Sequence, residues 1–223
     1  MTKEILLNKQ GQAILKDGKV ISVNSSPTPT PSIPTTLGSR IDDKATVVGV
    51  LQDHEGNDYV LAVVDAAYRS GSAISWSSQS VDTPLQNNSN QTSAEVDHHT
   101  GKYNTDLILS TYNASDYPAF NFARNACTVT IGSNTYYSVL PSMNELQLLY
   151  DNKDVLDQYD PTATTYSDRT MSNFEFKAHG AWSSTEKNSD YAWRIQFNGF
   201  ENGNVKYDGS GHGVCPVICI PLS

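Results

Sequence analysis

Short apolar runs mark several of the strands predicted for this chain. Residues 45–51 and 59–64 are valine-rich runs separated by the polar segment 52–58, which predicts two strands and a turn. Residues 214–220 form a third run rich in β-branched side chains, which is typical of a buried last strand. The chain is therefore expected to end inside a small antiparallel sheet.

Strict alternation predicts a further strand at residues 192–198. The large apolar residues of this stretch occupy every second position and should share one face, with polar groups on the other; they are Trp193, Ile195 and Phe197. Asn-Gly pairs follow at 198–199 and 202–203 and are typical of turns. Residues 204–207 are then expected to return as the hairpin partner.

Helical periodicity appears between these groups of strands. Residues 100–110 place apolar side chains at helical spacing, and residues 116–126 carry an apolar stripe after an early proline, Pro118. Ser142 and Glu145 have the spacing of a capping box, which predicts the start of a third helix. Strands, a loop, short helices and strands in this order predict an α+β fold whose two ends lie close together.

The chain divides into three predicted parts. Residues 1–24 contain short, mainly apolar stretches at 5–7, 13–15 and 20–23, and Asp17-Gly18 predicts a β-hairpin between the last two. So short a segment cannot bury a core alone, so it either packs on the main domain or binds a partner surface, and the linker that follows favours the second option, an anchor. Residues 25–39 form a Pro/Thr/Ser linker, expected to be extended or a disordered tether. Residues 40–223 form the head.

Composition narrows the function classes. The 223 residues carry a formal net charge of −9, which argues against nucleic acid as a partner because phosphate binding needs clustered lysine and arginine. The sequence has no apolar run of about 18 residues, so no membrane span is predicted. The first ten residues are too polar for a secretory signal, so we expect synthesis in a cytoplasm. The three cysteines are expected to be reduced and buried.

Candidate reactive groups are sparse. Asp97, His98 and His99 form the histidine cluster, but adjacent side chains in a loop point apart, which favours a solvated role over a metal site. Ser183 and Ser184 could pair with His179 or His212, yet no nucleophile-elbow motif surrounds them. Core packing by Trp182 and turn hydrogen bonds by the serines are the preferred interpretation. No cofactor, no metal and no catalytic residue are predicted.

Six motifs occur in a recognisable order. They are Gly101-Lys-Tyr-Asn-Thr105, Ala123 to Cys127, Leu140-Pro-Ser-Met-Asn-Glu-Leu146, Trp182-Ser-Ser-Thr-Glu186, Ala192-Trp-Arg-Ile-Gln-Phe-Asn-Gly199 and Val214-Cys-Pro-Val217. As a set they resemble the C-type-lectin-like domains of bacterial and phage surface proteins. That group is related to phage tropism determinants and, more distantly, to formylglycine-generating enzymes. The resemblance covers about four fifths of the chain, from residue 45 to the end.

The chain departs from that family at several positions. Cys215 stands where the family often has arginine before the final Pro-Val. The tripeptides of calcium-dependent lectins, such as Glu-Pro-Asn and Trp-Asn-Asp, do not occur, so the resemblance does not imply calcium-dependent glycan binding. Cys215 and Cys219 do not follow the copper-site pattern of the formylglycine-generating enzymes.

The anchor, the linker and the resemblance together imply a phage virion protein. The expected function is that of a head fibre or tail fibre, located in the virion, whose N-terminal part attaches to a capsid or tail protein. A homotrimer is expected because it would supply strand partners to the hairpin. The residues expected to anchor it are Ile5, Leu7, Ile14, Val20 and Ile21. The alternatives are a bacterial surface adhesin or retroelement-diversified binding protein of this fold, and an enzyme.

The head is expected to contact a host-surface glycan or protein. Tyrosine and asparagine combine rigid aromatic area with adaptable hydrogen bonding, which suits either surface, although some of these aromatic residues could instead cover the sheet. The candidates lie on or near the turns of the C-terminal hairpin; they are Tyr191, Asn198, Phe200, Asn202, Tyr207, Asp208 and His212.

Overall fold

The structure of the protein is a computed structural model that describes most of the chain. The described residues are 5–7, 13–15, 20–21, 32–70, 73–85, 100–156, 159, 180–195, 201–207 and 212–222. The chain divides into two compact units, Met1–Ser32 and Ile33–Ser223, of which the second is called the body below.

The N-terminal unit contains a three-stranded antiparallel sheet. Its strands are β1 (Ile5–Leu7), β2 (Ala13–Leu15) and β3 (Val20–Ile21), in the spatial order β1-β2-β3. Ile14 lies opposite Val20, so the hairpin predicted around Asp17-Gly18 is confirmed, and β1 adds a third strand to it. The side chains of the five residues expected to anchor the chain are not among those that the structure describes.

The centre of the body is a four-stranded antiparallel sheet. Its strands are β4 (Arg40–Ile41), β5 (Ala45–Gln52), β6 (Asp58–Val64) and β12 (Val217–Pro221), in the spatial order β12-β6-β5-β4. The last strand of the chain thus pairs directly with β6, and both ends of the body belong to one sheet. The three apolar runs predicted as strands are confirmed as β5, β6 and β12.

Both faces of this sheet are buried. On one face, side chains such as Leu61 and Val217 pack against the helix α3 (Met143–Asp151). On the other face, the hairpin of β7 (Thr128–Ile131) and β8 (Asn134–Tyr137) contributes Val129 to a second cluster. Burial on two sides explains why β6 is an unbroken apolar run rather than an alternating one.

A second sheet of the body has three antiparallel strands. They are β9 (Ala181–Glu186), β10 (Tyr191–Ile195) and β11 (Glu201–Val205), with β10 in the middle. The predicted hairpin exists, but its return strand begins at Glu201 rather than at residue 204. Asn202-Gly203 therefore lies inside a strand, and its prediction as a turn is wrong, because five residues of β11 continue the ladder with β10. The described part of the body therefore combines helices with antiparallel sheets, as an α+β fold does.

The predicted helices are confirmed with small shifts at their ends. They are α1 (Gly101–Thr111), α2 (Pro118–Ala126) and α3, with one additional turn, α4 (Lys153–Leu156). Ser142 and Glu145 form the predicted capping box of α3. Short 3₁₀ helices occur at Ala66–Tyr68 and Ala114–Asp116.

The carboxylate of Glu145 serves two helices at once. Its Oε2 atom accepts hydrogen bonds from the backbone amides of Ser142, at 2.8 Å, and of Gly101, at 3.0 Å. Gly101 is the first residue of α1, so a single fully buried carboxylate joins the beginnings of α1 and α3. Negative charge is favourable at a helix N-terminus, which offsets part of the cost of burying this carboxyl group.

The body begins before residue 40. Ile33 packs against the cluster around Val129, and Leu37 packs against the cluster around Leu61. The amide of Gly38 donates to the carbonyl of Val47 at 3.0 Å, which ties this segment to β5. Residues 33–39 were assigned to the linker from their composition, but here they belong to the folded body; residues 25–31 lie outside the described residues.

Candidate binding surface

Two exposed tyrosines lie at the same end of the three-stranded sheet. Tyr191 begins β10 and lies opposite Val205, the last residue of β11. The amide of Lys206 still donates to the carbonyl of Asp190, at 3.0 Å, so the pairing continues one residue beyond β11. Tyr207 therefore emerges next to Tyr191, as a diagonal neighbour across the two strands. The two side chains are 39% and 51% exposed, although both are aromatic.

A lysine extends this surface along the sheet. The Nζ atom of Lys187 lies 4.1 Å from the centroid of the Trp193 ring, within cation–π range. Its stem passes over Gly203, where a β-carbon would lie 3.1 Å from Nζ and 3.2 Å from Cε. A glycine at this strand position thus makes room for the lysine. We call Lys187, Tyr191, Val205 and Tyr207 together the tyrosine surface.

The other predicted binding residues are not shown to join this surface. Asn202 lies in β11 opposite Arg194, and its side chain lies outside the described residues. Asn198 and Phe200 belong to the connection between β10 and β11, and Asp208 follows Tyr207; all three lie outside the described residues.

His212 is buried rather than displayed. Only 2% of it is exposed, and its ring meets that of Trp182 edge to face at a centroid distance of 4.6 Å. Its Nδ1 atom lies 3.3 Å from a guanidinium nitrogen of Arg194, and its Nε2 atom contacts the amide of Asn204. Burial lowers the pKa of Arg194. His212 therefore packs between β9 and β11, which does not fit a residue that meets a large ligand from outside.

The irregular segment 73–85 crosses the sheet on the side of Trp182. The indole of Trp76 donates to the carbonyl of Ser183 at 2.8 Å, and the indole of Trp182 donates to the carbonyl of Ile74 at 2.7 Å. Trp76 is fully buried in a cluster with Phe120 and Trp182. We call residues 73–85 the strap. A loop was predicted over residues 76–95, and residues 73–85 have neither helix nor strand, but their anchoring to the sheet was not predicted.

A buried ion pair fastens the strap. Lys206 and Glu186 are both fully buried and form a direct salt bridge. Lys206 also donates to the carbonyl of Val81, at 2.9 Å, and its Nζ atom lies 4.9 Å from the ring centroid of Trp76. Glu186 accepts from the hydroxyl of Thr83 at 2.7 Å. Burial lowers the pKa of Lys206 and raises the pKa of Glu186, while their mutual contact opposes both shifts.

The two serines considered for catalysis have structural partners. The Ser183 hydroxyl donates to the carbonyl of Trp193 at 2.8 Å, and the Ser184 hydroxyl accepts from the side-chain amide of Asn104 at 2.9 Å. Both serines are fully buried in β9, the strand that also contains Trp182. Their prediction as turn residues is therefore wrong. Trp182 packs in the core, as predicted. His179 lies outside the described residues.

Metal binding and membrane insertion can both be judged on the described part of the chain. No group of three or more histidine, cysteine or acidic residues there could hold a metal ion. The cluster of Asp97, His98 and His99 lies outside the described residues. Within the same part of the chain, no helix combines the length and the apolar character needed to cross a membrane. Cys127, Cys215 and Cys219 are buried and form no disulfide bond, as predicted.

Aromatic side chains exposed side by side on a rigid sheet can bind a flat partner with little loss of conformational entropy. Tyr191 and Tyr207 were identified from the sequence, because they flank the predicted hairpin. Lys187 was missed, since its position over a glycine two strands away depends on register.

Comparison with family models, with curated proteins and with solved structures gave no match to this chain.

Proposed function

We propose that this chain is a phage virion fibre or decoration protein, in which the body has a C-type-lectin-like fold and binds a host-surface glycan. The observation that carries the proposal is the pair of exposed tyrosines, Tyr191 and Tyr207, at one end of a sheet in which all of β9 and the rest of β10 are buried. The apolar faces of sugar rings pack well against such rings, and the tyrosine hydroxyls can hydrogen-bond to the sugar hydroxyls.

The layout of the chain supports the location in a virion. A small N-terminal unit with three strands precedes the body, and residues 25–32, which lead into the body, are rich in proline, threonine and serine. In the proposal, the N-terminal unit attaches to a capsid or tail protein, and the body points outward. The net charge of −9 is consistent with a partner other than nucleic acid.

The binding surface can be tested with single substitutions. Tyr191→Ala and Tyr207→Ala should each lower the binding affinity at least tenfold, about 1.4 kcal/mol, because tyrosines that become buried when a ligand binds dominate the binding energy. Binding of the fluorescently labelled full chain is measured on arrays of bacterial and mucosal glycans and on a panel of bacterial cells.

The control for this experiment is Tyr137→Ala. Tyr137 is 57% exposed but lies on β8, away from the three-stranded sheet, so its loss should leave binding unchanged. Binding lost after protease treatment of the cells, but not after periodate oxidation of their sugars, would identify a protein receptor and contradict the glycan proposal. Unchanged binding by both tyrosine variants, or no binding by the native chain, would contradict the surface itself.

The proposed role of the N-terminal unit in trimer formation can be tested by measuring the mass of the full chain in solution. We propose that three copies associate through it, since strands of two or three residues gain stability from strand partners in a neighbouring chain. The full chain should sediment at about 73 kDa, three times the 24.4 kDa of one chain. A fragment of residues 25–223 should sediment as a folded monomer. A monomeric full chain at high concentration, or a trimeric fragment, would contradict this assignment.

A further inference from the structure

The strap touches the residue that precedes each exposed tyrosine. Asp190 comes directly before Tyr191, and its carboxylate accepts a hydrogen bond from the hydroxyl of Ser80 in the strap. Lys206 comes directly before Tyr207, and its carbonyl accepts from the amide of Trp76 at 2.8 Å. These contacts link one segment of chain to both strands at the end where the tyrosines emerge.

The contacts at Lys206 involve both its backbone and its side chain. In addition to the Trp76 amide, the Ser77 amide lies 3.2 Å from the Lys206 carbonyl, and the ammonium group reaches the Val81 carbonyl and Glu186. Lys206 is fully buried, whereas Tyr207 is 51% exposed, because consecutive residues of an extended chain point to opposite sides. The direction of Tyr207 is thus coupled to the position of the Lys206 side chain.

The contacts at Asp190 complete the link. The Asp190 carbonyl accepts from the Lys206 amide, so the two residues held by the strap are also bonded to each other. The amide of Tyr191 donates to the Asn188 side chain at 2.9 Å, which closes the turn before β10. Moving the strap would therefore move the beginning of β10 and the chain after β11 together.

We infer that Lys206, Glu186 and Ser80 are positioning residues of the tyrosine surface, through which the strap sets the orientation of Tyr191 and Tyr207. The inference rests on the proposed function for its biological meaning. Its physical content is the coupling between the strap and the two tyrosines, which can be measured without any ligand. None of the three residues needs to touch the ligand, since two are buried and the third faces Asp190.

Two variants test the coupling. Lys206→Met removes the ammonium group but keeps a side chain of similar length, and it leaves Glu186 buried without its cation. Ser80→Ala breaks the bond to Asp190 at an exposed position, so this variant keeps the folded core even if Lys206→Met does not fold. Hydrogen exchange of the full chain is followed well below the melting temperature, and residues 60–63 and 217–220 serve as internal references.

We expect faster hydrogen exchange only in the strap and next to the two tyrosines. Lys206→Met should speed exchange at least tenfold at residues 76–83 and also at 190–191 and 206–207, with the reference strands unchanged. Ser80→Ala should speed exchange at 190–191 by a similar factor. Lys102→Met is the matched control, since Lys102 forms an exposed ion pair with Asp106 and should leave all these segments unchanged.

Other results would overturn the inference. Faster exchange confined to residues 76–83 would show that the strap can loosen without affecting the tyrosines. A uniform increase that includes the reference strands would show a purely structural role, and unchanged exchange would show no coupling. In the glycan assay, both variants should lose at least threefold in binding. Failure of the Tyr191→Ala and Tyr207→Ala test would reject the proposed function, whereas the exchange result would still decide the coupling.

Discussion

Replacing Glu145 by alanine should lower the free energy of unfolding by about 3–5 kcal/mol, because it leaves buried donors without an acceptor. The amides of Gly101 and Ser142 would lose their shared partner, Oε2. The hydroxyl of Tyr59, which donates to Oε1 at 2.9 Å, would also lose its acceptor. None of these groups can turn to water, since the site is fully buried. Urea denaturation followed by tryptophan fluorescence measures the loss.

The control on the same helix is Asp151→Ala. Asp151 is exposed at the end of α3, so its loss should change stability by less than about 0.5 kcal/mol. A loss below about 1 kcal/mol for Glu145→Ala would contradict the joint capping role, since it would mean that each helix end finds another acceptor.

Glu145→Gln separates the charge of this residue from its shape. Burial raises the pKa of Glu145, although hydrogen bonds from Ser142, Tyr59 and Gly101 oppose the shift. An acid with a raised pKa in the folded state stabilises the fold fully below its unfolded pKa, and that contribution is lost as the pH rises toward the folded pKa. The stability of the native chain should therefore fall relative to Glu145→Gln as the pH rises from 4 to 7. A relative increase would show that the site prefers the ionised form.

The helix beginnings were predictable because their signals are local. The capping box of α3 depends on two residues three positions apart, and a proline ahead of an apolar helical stripe favours the first turn of a helix, where Pro118 lies in α2. The second task of Glu145, at the beginning of α1, was not predictable. Gly101 lies 44 positions earlier, and only the packing of the two helices brings it to the carboxylate.

The strands show where periodicity stops being informative. Trp193 and Ile195 are buried on one face of β10, as their alternation predicts. Ala192 and Arg194, on the opposite face, are buried as well, because the strap and its tryptophan cover that side. The alternating pattern shows only which side chains of the strand are apolar, whereas their burial depends on what packs against each face. An arginine in an alternating strand therefore did not indicate an exposed face.

The tyrosine surface was only partly predictable from the sequence, because only some of its features depend on neighbouring residues. Exposed aromatic residues near a hairpin are visible in the sequence, and Tyr191 and Tyr207 were found in this way. Lys206 lies between Val205 and Tyr207, so a pattern of apolar neighbours places it on the solvent side. Its burial requires the carboxylate of Glu186, 20 positions earlier, and a carbonyl of the strap. Long-range pairing of charges leaves no periodic signal.

Replacing Gly101 by alanine should destabilise the body by about 3 kcal/mol, although alanine is the better helix former by about 1 kcal/mol. A β-carbon at this position would overlap the carbonyl oxygen of Leu140 and lie 2.8 Å from the Cα atom of Pro141. Both are backbone atoms of the segment that leads into α3, so neither can rotate away. The two helix beginnings would have to separate, and the bond from Gly101 to Glu145 would lengthen. Thermal and urea denaturation of the variant measure the effect.

Gly49→Ala is the matched control for this substitution. A β-carbon at Gly49 would meet Leu148 at 3.8 Å, an ordinary van der Waals contact, so this variant should remain within about 1 kcal/mol of the native stability. In the Glu145→Ala background, Gly101→Ala should still cost more than 1 kcal/mol. Removing the carboxylate relieves only its own contact, at 2.6 Å from the new β-carbon, and leaves the overlap with Leu140. If Gly101→Ala caused no further loss of stability in the Glu145→Ala background, the proposed overlap with the backbone that leads into α3 would be contradicted.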